Sequence, residues 1–272
     1  INSPGFSFGE IQKMYGGGSS MWRSGSGAFG IDGRNFGSNS GIVESRLWGA
    51  NYADVIAKGV DVSADYFHSG SNAQNDSKFN RENILPDRRY FTESKHADRM
   101  ESDTDRINMK FDIKIDSTFL INIRPTFSYS KLKGDRSDGT VSFNEDRLKT
   151  NEANSTNHSE GSSRNFNNRL SLTKKFGSRG GFFRAAINNK WDEGSGEDFL
   201  YSATRIYGTH PSEEIRNQQA DTKNKETSYD ATATLQYPIY ENKLFIDLTY
   251  GFSNSNTLSS KFVNDFDVGT GN

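Results

Sequence analysis

The stretch that decides the fold is Arg106–Lys131, RINMKFDIKIDSTFLINIRPTFSYSK. Apolar Ile107, Met109, Phe111, Ile113 and Ile115 alternate with Asn108, Lys110, Asp112 and Lys114. After Asp116-Ser117-Thr118 the alternation resumes, with Phe119, Ile121, Ile123, Pro125, Phe127 and Tyr129 set against Asn122, Arg124, Thr126 and Ser128. A period of two residues sends successive side chains to opposite faces of an extended strand, so this stretch predicts a β-hairpin with one apolar and one polar face. Pro125 has no N–H to give to a ladder, which predicts a bulge or a break in pairing at that point.

Working outward, three more hairpins follow the same pattern. Ile42–Tyr52 pairs with Gly59–His68 around residues 53–58. Phe166–Phe176 pairs with Gly181–Trp191 through Gly177-Ser178-Arg179-Gly180, and Tyr229–Tyr237 pairs with Leu244–Ser253 through Tyr240-Glu241-Asn242-Lys243. Between the hairpins lie long polar segments, 69–105, 132–165 and 192–228, which read as loops. Short turns on one side and long loops on the other, joined to strands of about 9 to 11 residues, are the signature of a transmembrane β-barrel. The sequence therefore predicts an all-β, antiparallel up-and-down transmembrane β-barrel. About eight strands fall in this chain, as a fragment of a larger barrel. Residues 1–41 read as a Gly-rich loop or linker following a missing plug or N-terminal region, with nine glycines between Met14 and Gly41. Residues 42–272 read as the barrel segment, its long polar loops extracellular.

Composition agrees with that reading. Only 32% of the residues are apolar, with a mean hydropathy of −0.81, yet 12% are aromatic, led by 20 Phe and 11 Tyr. Disordered chains are poor in aromatics, whereas a barrel that alternates lipid-facing and lumen-facing residues can be hydrophilic on average. The formal net charge is −2, from 33 basic and 35 acidic side chains, which offers no field for nucleic acid. There is no cysteine, so disulfides and thiolate metal sites are excluded. No apolar run reaches the ~18 residues of a membrane-spanning helix. The chain opens on Ile1-Asn2-Ser3 without a signal peptide, which predicts a fragment whose natural N-terminus has been removed.

The order of several short motifs resembles a family. Asn2–Ile11 (NSPGFSFGEI) is followed by a Gly-rich run, Asp61–Phe67 (DVSADYF), Asn83–Asp87 (NILPD), Phe111–Ser117 (FDIKIDS), Pro125–Tyr129 (PTFSY) and Phe199–Ser202 (FLYS). This series is similar to Bacteroidetes outer-membrane β-barrel proteins related to TonB-dependent receptors. The resemblance implies a bacterial outer-membrane location and a large barrel with an N-terminal plug, often preceded by a carboxypeptidase-like domain. It implies uptake of an extracellular ligand driven by the TonB complex, with a surface lipoprotein as a further partner and lipid around the wall. No plug or TonB box is recognisable, and the chain ends on Asn272 where such families end on an aromatic residue.

Other motifs favour the ordinary reading. Gly25-Ser26-Gly27-Ala28-Phe29-Gly30 matches the dinucleotide fingerprint but lacks its strand, helix and acidic residue. His68, His96, His158 and His210 show no ligand spacing, and the acidic runs 135–138 and 192–198 lack the pattern of a Ca²⁺ loop. No G-x-S-x-G elbow is present. The sequence thus names no catalytic, cofactor-binding or metal-binding residue, and predicts no enzyme. On the polar faces, Lys110, Asp112, Lys114, Arg124, Arg169, Lys175, Arg184, Lys190 and Asp247 either pair across strands or line a solute path. Tyr66, Phe119, Tyr129, Phe176, Trp191, Tyr237 and Phe252 are expected at strand ends, at headgroup level. The alternative is an envelope or cell-surface β-protein without transport activity, whose apolar faces pack together as a sandwich core and whose loops bind carbohydrate or protein.

Overall fold

The computed structural model describes residues 21–23, 29–31, 34–36, 41–86, 88–177, 180–240 and 243–266. Among these residues there is no helix. The short strands β1 (Met21–Arg23), β2 (Phe29–Ile31) and β3 (Arg34–Phe36) form a three-stranded antiparallel meander within the segment read as a linker. The motif residues Phe29 and Gly30 belong to strand β2, whereas a dinucleotide fingerprint opens a helix; the rest of that motif lies outside the described residues.

The remaining chain forms one eight-stranded sheet. Its strands are β4 (Ile42–Ala57), β5 (Val60–Ile84), β6 (Arg89–Lys114), β7 (Phe119–Phe143), β8 (Lys149–Phe176), β9 (Gly181–Ile206), β10 (Ser212–Tyr240) and β11 (Leu244–Asp265). They lie side by side in sequence order, every neighbouring pair antiparallel, with no crossover. The outer strands β4 and β11 each pair on one side only, so the sheet is open.

Two sequence expectations change. The segments expected as long loops are strand: β5 and β6 run on through 69–84 and 89–105, and the chain reverses within residues 85–88. The same holds for 132–165, which turns at 144–148, and for 192–228, which turns at 207–211. The physical reason is that alternation marks a strand only where one face is apolar. In these segments both faces are polar, and the backbone ladder continues without leaving a period in the sequence. In the first hairpin, residues 53–57 belong to β4, and the turn is only Lys58-Gly59. Gly59 sits at φ 78°, and a Cβ there would lie 2.6 Å from the Lys114 carbonyl oxygen, so the tight turn requires glycine. A bulge between Val55 and Ala57 takes up the remaining register.

Pro125 acts as its chemistry predicts. On the β6 side the ladder passes from Asn108↔Thr126 to Phe111↔Ile123, with Met109 and Lys110 left unpaired to Arg124 and Pro125. On the β8 side Pro125 still faces Asn168. The missing N–H points toward β6, and pairing is broken there without a register shift.

The sheet has almost no core. Among the described residues the buried apolar ones are Phe67, Ala186 and Ala203, and no large side chain is fully buried. Phe67 is covered because it lies against Gly49 on the neighbouring strand, where a Cβ would meet its ring at 2.6 Å.

Candidate functional site: a two-faced sheet

Directly opposed residues of an antiparallel pair project to the same face, so the register sorts every side chain. One row across the sheet reads Val62, Phe111, Ile123, Leu170, Ile187, Ala231, Phe252. Two residues nearer the short turns the row reads Val60, Ile113, Ile121, Leu172, Ala185, Ala233, Tyr250. On the other side a row of Ala50, Tyr66, Ile107, Phe127, Phe166 and Trp191 completes an apolar band. The band belongs to one face and to the end of the sheet that carries the turns after β4, β6, β8 and β10. Many of its members are exposed, including Ile107, Phe127, Ile187, Leu248 and Tyr250.

Aromatic residues border the band. Trp48 packs edge-on against Tyr66 at 5.2 Å on one border, and Phe176 lies 6.4 Å from Tyr237 on the other. The aromatics expected at strand ends all occupy this face. Tyr66, Trp191 and Tyr129 lie on the upper border, and Phe119, Phe176 and Tyr237 on the lower. Phe252 is placed differently, inside the band beside Ala231. Phe119 opens β7 and Phe176 closes β8, whereas on the upper border the strands run on, β7 as far as Phe143. From Phe119 to Tyr129 the band covers about 33 Å of strand, or roughly 25 Å of height at the tilt usual in barrels. At this upper border the same face becomes ionic: the row of Tyr129 also carries His68, Asp105, Arg164, Glu193 and Lys225. Polar residues interrupt the band in places: Asp54 faces Val62, Asn254 faces Tyr229, Lys174 faces Phe119, and Asn168 and Asn189 face each other with the Oδ1 of each buried without a hydrogen bond.

The opposite face is predominantly polar, with Phe67, Leu120, Phe182 and Leu200 among its few large apolar residues. Behind the band it carries Asp112, Asn122, Ser171, Ala186, Thr232 and Gly251 in one row, and Arg124, Arg169, Asn188, Asp230 and Ser253 in the next. Along residues 71–78 and 193–202 exposure alternates strictly, with the polar-face residue always the less exposed. Along these stretches the polar face is therefore the less open of the two.

All nine polar-face residues singled out by sequence lie on this face, and the structure divides them. Lys110 Nζ is 2.5 Å from Asp112, which also accepts a 2.5 Å hydrogen bond from Asn122. Lys190 Nζ lies 2.9 Å from both Asp192 and Glu226. Lys114, Arg124, Arg169, Lys175 and Arg184, by contrast, form no ion pair among the described residues. Lys114, Arg169, Lys175 and Arg184 line a hollow of about 600 Å³ with Asn122, Ser171 and Thr173. Arg124 stands directly opposite Arg169.

Sequence reasoning missed the charge clusters of the outer sheet, because it read those segments as loops. On the polar face His96 Nδ1 lies 2.5 Å from Asp138, its Nε2 contacts Asp98, and Arg136 Nε donates to Asp138 at 2.8 Å. The hydrogen bond to Asp138, then that to Asp98, holds the His96 imidazole above its ordinary pKa. On the band face His158 lies 2.6 Å from Asp135, which raises its pKa, and Lys133 donates to Glu160 at 2.6 Å. The signal was present in His96-x-Asp98 and His158-x-Glu160, whose spacing of two puts both groups on one face of a strand. The same period splits the acidic runs: Asp135, Glu193 and Glu197 lie on the band face, and Asp138, Asp192 and Asp198 on the other. Among the described residues no three His, Asp or Glu are placed to hold a metal ion.

Compared with known proteins, the chain matches no family model, and no curated protein matches it.

Proposed function

We propose that this chain is part of the wall of a bacterial outer-membrane β-barrel of the TonB-dependent receptor type, taking part in uptake of an extracellular ligand. The observation that carries this reading is the apolar band. It runs across the strands on one face, its ~25 Å height matches the lipid-facing zone of such barrels, and aromatics border it as they do at a bilayer interface. Backbone groups inside a bilayer must be satisfied by neighbouring strands, which the ladders supply except at the two outer edges and at the Pro125 break between β6 and β7. Those edges pair with further strands in the complete barrel. The polar face lines the interior, and the strands beyond the band carry the ligand-facing surface outside the membrane. In this reading the chain has no catalytic role; its partners are lipid, the TonB complex and a surface lipoprotein.

The test is refolding of the chain with and without detergent micelles. A heat-modifiable β-rich species that forms only in detergent is the expected result. A cooperative β-fold that stays in solution without detergent would overturn the membrane reading and favour a cell-surface binding protein whose band is covered by a second layer.

A further inference from the structure

We infer that the hollow between β6 and β9 on the polar face is a binding site for a small multivalent oxyanion, one carrying phosphate or carboxylate groups. Several other polar-face cations have carboxylates within hydrogen-bond range: Asp112 for Lys110, Asp138 for Arg136, and Asp192 and Glu226 for Lys190. Around the hollow itself, Lys114, Arg169, Lys175 and Arg184 have none so close among the described residues, and Arg124 beside them is met by Asp112 only at longer range. The lone acid lining the hollow, Asp116, is already engaged by the Thr118 hydroxyl and backbone N–H at 2.6 Å each and by Lys174 at 3.1 Å. Arg124 and Arg169 are direct cross-strand neighbours, an arrangement that costs stability unless an anion lies between them.

The remaining lining suits such a ligand. Asn122, Ser171 and Thr173 add neutral donors, and guanidinium groups bind phosphate or carboxylate through two parallel hydrogen bonds. A hollow of about 600 Å³ has the size of a small-solute site. Rings of Arg and Lys are also how pores select anions. The site stands apart from the question of what meets the opposite face, because every group it uses lies on the polar side.

The test uses the full chain refolded in maltoside micelles, which carry no phosphate, with inorganic pyrophosphate as the probe. Calorimetry at fixed ionic strength is expected to show saturable 1:1 binding, weakened at least about tenfold in the double variant Arg169→Gln/Arg184→Gln, the loss expected from removing two charge-assisted contacts. Lys223→Gln, on the opposite face, is expected to bind like the parent. Thermal unfolding gives a second readout that does not depend on calorimetric heat. Pyrophosphate raises the Tm of the parent but not of the double variant, while in anion-free buffer the double variant is at least as stable as the parent because the arginine repulsion is relieved. Non-saturable binding, or equal weakening by Lys223→Gln, would overturn the assignment. So would a double variant that is still stabilised by pyrophosphate.

Discussion

Replacing Ile123 by arginine tests the membrane reading at its most sensitive point. Ile123 lies on the apolar face between Phe111 and Leu170, close to midway between Phe119 and Tyr129 on β7. An arginine on the lipid face costs roughly 2–4 kcal/mol at the bilayer midplane and about 0–1 near the interfaces. The expected loss at Ile123 is therefore about 30- to 1000-fold in the folding equilibrium. Thr126→Arg provides the comparison, since Thr126 faces the polar side between Asn108 and Asn167, where arginine is already native at position 124. The assay is urea-induced unfolding in lipid vesicles, following intrinsic tryptophan fluorescence and the heat-dependent gel shift, for Ile121→Arg, Ile123→Arg, Phe127→Arg, Tyr129→Arg and Thr126→Arg. The cost should peak at Ile123, fall toward Tyr129 and nearly vanish at Thr126. A profile that is flat along β7, or a cost at Thr126 equal to that at Ile123, would refute the argument that the band meets lipid.

Three further outcomes follow from particular residues. The folded-state pKa of His96 is raised, so its contribution to stability is complete below the ordinary imidazole pKa and is lost as pH rises through the folded value. The outer ends of β6 and β7 should therefore exchange amide hydrogens faster, relative to the chemical rate, at pH 8 than at pH 6, and His96→Gln should abolish the difference. Gly59→Ala should cost about 1–2 kcal/mol from its positive φ alone. The close approach to the Lys114 carbonyl adds to that cost, visible as a lower denaturant midpoint with an unchanged slope. Pro125→Val should restore a donor toward β6 and stabilise by about 1 kcal/mol, with slowed exchange at Met109 and Lys110; unchanged exchange there would mean that the break has another cause.

Much of this was legible in the sequence because one physical signal is strong. Where one face is apolar, period-two alternation reveals strand, face and turn together. Phe166–Phe176 and Gly181–Trp191, read as a hairpin, are the adjoining parts of β8 and β9, with the turn where it was expected. The sorting of Ile121, Ile123, Leu170 and Leu172 to one apolar face was fixed in the same way, since a strand gives its side chains no other way to point. Pro125 announced its own break through a missing donor.

The tertiary structure decided what alternation does not encode. Residues 69–105 carry polar side chains on both faces, so their strands depend on pairing with partners distant in the chain, such as Ser77 with His96, and local sequence gives no period to read. Whether a charge is compensated also depends on its neighbours across strands. Lys110 finds Asp112 on its own strand, two residues away. Arg169, by contrast, meets Arg124 because the register of β7 and β8 brings two cations to the same place. Composition and alternation determined that this chain is a sheet with two unlike faces; register, a property of pairs of strands, determined which charges on the polar face stand uncompensated.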